Sequence, residues 1–219
     1  MQALSIINQA AILLNDSASN VRWPKTQLLT YLNDGQREVV IFRPDASVQN
    51  SVMMLTAGNT KQSIPADGIR LIDVIRNMGS GSTAGVPVMV IDRDILDTQI
   101  PTWHSDDASS SIKHYTFDPK DPETFYVYPQ PAASVHLEIV YSVPPADCDV
   151  VGDNISISDI YTNALLDYIM YRAFSKDTEY ANPNKAANYY QMFRQSLGLK
   201  AQIDMTTDPN AAVRADGKS

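Results

Sequence analysis

A single cysteine, Cys148, stands in 219 residues, so no disulfide can form within the chain, and folding in a reducing compartment is expected. No apolar run approaches the roughly 20 residues that a membrane span needs. The stretch from Met1 to Asp16 is apolar, but Asn8 and Gln9 break it and no basic segment precedes it. It reads as an amphipathic helix and not as a signal peptide. Positive charge is also scarce: 17 Lys and Arg against 25 Asp and Glu leave a net charge of −8. Proteins that wrap nucleic acid by neutralising phosphates need a basic surface, so that class is excluded. A protein that merely surrounds DNA is not, because an acidic wall repels the backbone and lets it slide. Hydrophobic residues, at 44%, suffice for a sizeable core, and the length allows one large domain or one domain carrying an insertion.

Catalytic and metal-binding constellations are missing as well. The histidines are His104, His114 and His136, and none has a cysteine or carboxylate at metal-motif spacing. Asp92, Asp94 and Asp97 lack the glycine and terminal glutamate of a calcium loop and read as a short helix after a strand. Gly79 to Gly85 lacks the Lys-Ser/Thr ending of a phosphate loop and reads as a flexible hairpin tip. No metal, no cofactor and no enzymatic turnover are expected. Asp167 and Arg172 fall on a helix that is apolar on most sides, where a carboxylate needs a cation; Arg37 or Arg22 is expected to pair with Asp167.

What the chain does have is clear periodicity. Leu4, Ile7, Ala11 and Leu14 repeat at helical spacing and end at Asn15-Asp16-Ser17. Trp23-Pro24 opens a second helix, in which Leu28, Leu32, Gly35 and Val39 form one face and Asn33, Asp34, Arg37 and Glu38 lie largely on the other. Arg43-Pro44 stops it, because the residue before a proline is pushed out of the α region. Residues 46–157 then change period. Short extended runs at 48–55, 61–64, 69–77 and 86–91 lead to a hairpin, 113–117 with 124–128, around the turn 118–123, and to the alternating strand Val135, Leu137, Ile139, Tyr141. These predict a small antiparallel sandwich or barrel. Helical spacing returns after Ser158 or Asp159 as cap, with Tyr161, Leu165, Ile169 and Ala173 on one stripe. Asn182-Pro183 opens the last helix, with Ala186, Tyr190, Phe193 and Leu197 in register and Gly198-Leu199 as its expected C-cap.

The expected fold is α+β. A four-helix body is built from an N-terminal helix pair (1–45) and a C-terminal pair (158–200), with an antiparallel β domain inserted between them (46–157). The segment 201–219 has no sustained period and is expected to be an extended tail, disordered when free, since it cannot offset the ordering entropy of about 1–2 kcal/mol per residue.

Asn20 to Pro24 followed by Leu28-Leu29-Thr30-Tyr31-Leu32-Asn33-Asp34-Gly35-Gln36-Arg37-Glu38 resembles the N-terminal helices of tailed-phage head-to-tail adaptors, the neck subunits related to podovirus tail-tubular protein A. Thr124 to Pro129 with Tyr141 to Pro145 resembles that family's β insertion, and Tyr171 to Tyr180 with Tyr190 and Phe193 its C-terminal helix pair. The likeness runs in order from residue 1 to about residue 200. It implies a dodecameric ring of identical subunits in the virion neck, assembled in the bacterial host cytoplasm. The portal protein would be gripped on one side and a tail tube or nozzle protein on the other. Genomic DNA would pass through the lumen without sequence-specific binding, and no membrane is involved. In such a role the tail would dock on the portal through Ile203, Met205, Val213 and Arg214, and the soft loops with Gly81, Ser82, Trp103 and His104 would face the tail. The isolated chain is expected to stay monomeric or weakly associated. Two rivals remain: a glycan-binding virion or surface module using the tyrosines of the β domain, and a hydrolase built on His104, Asp106 and Asp107. A glycan binder would expose its aromatics in one groove, whereas an adaptor would bury them.

Overall fold

A computed structural model describes residues 1–16, 21–79, 82–176 and 181–207. The chain divides into two compact units, 1–46 with 145–219 and, inserted between, 47–144.

The helical unit holds α1 (Ala3–Leu13), α2 (Lys25–Phe42), α4 (Thr162–Ser175) and α5 (Pro183–Thr207). Helix α4 packs on each of the other three. Ile6, Ile7, Leu28, Leu32, Leu165, Ile169 and Phe193 fill the core with no exposed surface. Each such side chain contributes roughly 1.5–3 kcal/mol on burial. The α2 and α4 helices cross at Gly35, where a Cβ would lie 3.1 Å from Tyr168 and 3.2 Å from Leu165. Glycine lets the two backbones close on one another. Helix α2 starts behind Pro24 and stops at Arg43, as the prolines require. A one-turn 3-10 segment, Asp159–Tyr161, leads into α4, and Ser158 caps it by accepting from the Ile160 N–H. The Asn182 side chain caps α5 by accepting from the Lys185 N–H at 3.0 Å.

Three expectations about this unit change. Residues 145–157, expected in the insertion, belong to the helical unit, where Cys148, Ile155 and Ile157 join its core. Helix α1 has no side-chain cap, and its orphan Ala3 and Leu4 N–H groups donate to the carbonyls of Asp153 (2.8 Å) and Val151 (2.7 Å). The return segment is what closes that helix end. Gly198 is not a C-cap: α5 continues through it to Thr207, so residues 201–207 are helical and not extended. A glycine inside a helix costs only about 1 kcal/mol, so it need not end one. Residues 208–219 lie outside the described residues.

The inserted unit carries two four-stranded sheets with strand orders β1-β8-β3-β4 and β2-β7-β6-β5. The strands are β1 (Val48–Met54), β2 (Lys61–Ser63), β3 (Arg70–Gly79), β4 (Thr83–Pro87), β5 (Met89–Val90), β6 (His114–Thr116), β7 (Thr124–Tyr128) and β8 (His136–Ser142). Every pair is antiparallel except β5 with β6. Leu71, Val74, Leu137, Ile139 and Tyr141 of the first sheet and Tyr115, Phe125 and Val127 of the second form one apolar core. The expected run 86–91 is split between two sheets. Pro87 has no N–H to continue the ladder, while Val88 turns into the core and its N–H donates to Ile75 at 3.1 Å. Asn77 knits the unit together: its buried carboxamide donates to the carbonyls of Val86 (2.9 Å) and Ile112 (2.8 Å) and accepts from the Ile112 N–H (2.8 Å). Much of the expected soft loop at 79–85 is strand, since β3 runs to Gly79 and β4 starts at Thr83.

Candidate docking surfaces

The sequence predicts a soft loop after the short helix α3 (Arg93–Gln99), with Trp103 and His104 at its surface. Trp103 is instead fully buried, and its indole N–H donates to Asp97 at 2.7 Å. His104 stacks on it with ring centroids 3.6 Å apart and shares a 2.7 Å hydrogen bond with the Thr60 hydroxyl. Only His104 of this pair presents an exposed side chain. The large indole gains more from burial than a loop tip could offer it, and the sequence signal lies in the aromatic itself.

The carboxylates near it have local partners. Asp92 caps α3 by accepting from the Asp94 N–H, Asp97 pairs with Arg93 at 3.4 Å, and Asp106 accepts from Thr102 at 3.1 Å. Among the described residues no group of three or more His, Cys, Asp or Glu side chains could hold a metal ion. Burial pushes the Cys148 thiol up from its ordinary range, which makes it a poor nucleophile.

Asp167 departs from expectation. Arg37 pairs with Asp34 (3.2 Å) and with Asp147, and Arg172 also reaches Asp34 at 3.2 Å. Asp167 takes none of these and forms no ion pair or hydrogen bond among the described residues. Its partial burial raises its carboxyl from the ordinary 3.8 to about 6.

The anticipated docking residues fall in different places. Ser82 is an exposed turn residue whose N–H donates to Gly79 at 3.2 Å, while Gly81 lies outside the described residues. Ile203 and Met205 fall on the last turns of α5; Val213 and Arg214 lie outside the described residues. The structure also shows an apolar surface that the sequence reading treats only as a strand. Along β1, Val48, Val52 and Met54 are 48%, 40% and 62% exposed, at alternate positions, and Val86 of β4 is 65% exposed. The spacing of two in the sequence already marks the β1 residues as one face.

The family model of the SU10 adaptor protein matches residues 1–214. The chain belongs to this family. No curated protein matches it. The match reaches 214, past residue 200 where the motif resemblance stops, so it takes in the positions from Ile203 to Arg214. Membership makes the chain a structural head-to-tail adaptor subunit of a bacteriophage virion and not an enzyme. The aromatics of this adaptor fit that role and give the glycan-binding rival no support: Tyr31, Tyr115, Tyr141, Tyr161 and Tyr168 are buried. Family membership likewise implies interaction with portal and tail components.

Proposed function

We propose that the adaptor forms a cyclic, dodecameric ring in the virion neck, with the portal protein on one side, a tail tube or nozzle protein on the other, and the genome passing through its lumen. The family match over 1–214 carries this reading. The net charge of −8 supports a lumen that DNA crosses without being held, because phosphate binding needs a basic wall. In this arrangement the C-terminal segment with Ile203, Met205, Val213 and Arg214 docks on the portal. One such segment binds weakly, and a ring of them binds by avidity. Gly81, the exposed turn residue Ser82 and the exposed ring of His104 face the tail, with Trp103 holding the His104 loop in place from the core.

Electron microscopy of intact virions, together with a phage lacking this chain, tests the proposal. The expected results are a ring below the portal vertex in the virion and, without the chain, DNA-filled heads that carry no tail and leak. Finding the chain in a fibre or baseplate position would overturn it.

A further inference from the structure

Sheets in this protein end in two different ways. The edges of the β2-β7-β6-β5 sheet are guarded: β2 has three residues and carries Lys61, and β5 has only two. Short and charged edges are how soluble proteins avoid edge-to-edge pairing. The β1-β8-β3-β4 sheet has neither safeguard. Its edge strand β1 has seven residues, VQNSVMM, and β4 has five, TAGVP. Neither contains an Asp, Glu, Lys or Arg. Among the described residues no strand pairs with the outer edge of either. The apolar side chains next to both edges, Val48, Val52 and Met54 on one and Val86 on the other, are exposed.

We propose that these two edges pair with each other between neighbouring copies, β4 of one subunit lying antiparallel to β1 of the next, so that the sheet continues around the ring. This rests on the ring reading above. A closed ring uses a heterologous contact, which needs two different surfaces on each subunit that fit one another. The two edges meet that requirement by strand direction. Because β1–β8, β8–β3 and β3–β4 are all antiparallel, β1 and β4 point in opposite senses. Rotation about an axis lying along the strands preserves direction, so the neighbour's β1 arrives antiparallel to β4, the more stable pairing. A two-fold contact would instead set β1 against β1 and stop at a dimer. With neither edge charged, the approach meets no repulsion between edge charges, and about four residues of ladder, roughly 13 Å, can form along β4 ahead of Pro87, which has no N–H to donate. On the face that carries Val48, Val52 and Met54, the register sets Ala84 and Pro87 of β4, and these apolar side chains then meet across the seam.

Cysteine pairs test this cleanly, because the chain's own Cys148 is buried. Full-length adaptor carrying one cysteine in β1 (Gln49→Cys, Asn50→Cys or Ser51→Cys) and one in β4 (Thr83→Cys or Ala84→Cys) is loaded onto adaptor-deficient DNA-filled heads and oxidised. A disulfide forms only where Cα atoms approach to about 4.4–6.8 Å. The expected result is a ladder of covalent multimers larger than dimers for at least one pair, and none for either single cysteine. Val52→Lys, which guards the β1 edge, should lower ring occupancy on heads at least tenfold with an unchanged circular dichroism spectrum. Rings visible by microscopy with no ladder from any pair overturn the edge pairing and leave the ring reading standing. So do dimers from Asn50→Cys alone, which mean a β1–β1 contact, and cross-links from β1 to a different protein. Heads that bear no ring of wild-type adaptor sink the ring reading itself.

Discussion

The Asn33 carboxamide and the Cys148 backbone exchange two hydrogen bonds, Nδ2–H to the Cys148 carbonyl at 3.0 Å and the Cys148 N–H to Oδ1 at 3.0 Å. One turn along α2, the buried Gln36 accepts from the Ser156 N–H at 2.8 Å and its hydroxyl at 3.1 Å. These two amides tie α2 to the segment 145–157, which in turn caps α1. Asn33→Leu leaves both Cys148 groups without partners in a partly buried site, so it should cost about 2 kcal/mol. Asn33→Asp keeps the acceptor and should cost less. Chemical denaturation of the full chain checks both.

The half-buried carboxylate of Asp167 should make stability fall as pH rises. Its folded value of about 6 lies above the ordinary 3.8. Below 3.8 the proton is bound in both folded and unfolded chains and the site is neutral in effect. Between the two values the unfolded chain releases its proton first, and above 6 the full penalty is present. Asp167→Asn should therefore raise stability at pH 7 by about 1 kcal/mol, after allowing for solvent screening at a partly exposed site, and should leave it unchanged near pH 4. Thermal melts at the two pH values decide it, and equal gains at both would refute the assignment.

At the α2–α4 crossing, Gly35→Ala should be close to neutral. The methyl must displace Tyr168 by a few tenths of an ångström, which sets a small strain against the helix propensity gained, about 1 kcal/mol. Gly35→Leu cannot be accommodated that way and should lose roughly 2–3 kcal/mol through overpacking. The difference in melting temperature between the two variants is the measurement.

Two truncations separate the last turns of α5 from residues 208–219. Ending the chain after Thr207 removes Val213 and Arg214 but none of the described helix; ending it after Lys200 also removes helical residues 201–207. Far-ultraviolet circular dichroism should show helix lost only in the shorter form. Neither should unfold the core, since Leu197 is the last buried residue described on α5. If the C-terminal segment docks on the portal, both forms should fail to stay on DNA-filled heads. Wild-type occupancy by the longer form would remove Val213 and Arg214 from the anchor.

Replacing His104, Asp106 and Asp107 together with alanine should leave the circular dichroism spectrum and ring loading on DNA-filled heads unchanged and should remove no hydrolytic activity; loss of tail joining alone would trace to the tail-facing His104. What is lost is the part-buried hydrogen bond that His104 shares with Thr60, the stack of His104 on Trp103, and the hydrogen bond from Thr102 to Asp106. Such contacts are worth about 0.5–1.5 kcal/mol each. A hydrolytic activity that disappeared with the triple variant, measured on intact virions, would restore the enzyme reading.

The residues alone determined the elements and their buried faces. Leu28, Leu32 and Val39 mark one side of α2, Pro44 ends it, and Leu137, Ile139 and Tyr141 alternate along β8, because helix and strand periods are local properties of the backbone. Periodicity says which side of an element leaves water, not what it meets there. Only the tertiary structure decided that β1 lies beside β8 rather than a nearer strand, and that Trp103 enters the core. It also decided that residues 145–157 turn back onto α1 and α2, and that Asp167 is passed over by the arginines expected to pair with it. Those outcomes depend on bonds between residues far apart in sequence, such as Asn33 with Cys148 and Asn77 with Ile112, whose geometry exists only after the chain has closed. The same holds for the open edges of the first sheet. The strand sequences VQNSVMM and TAGVP are visible by eye, but that both are edges, free and opposed in direction, comes from strand order, which no local pattern encodes.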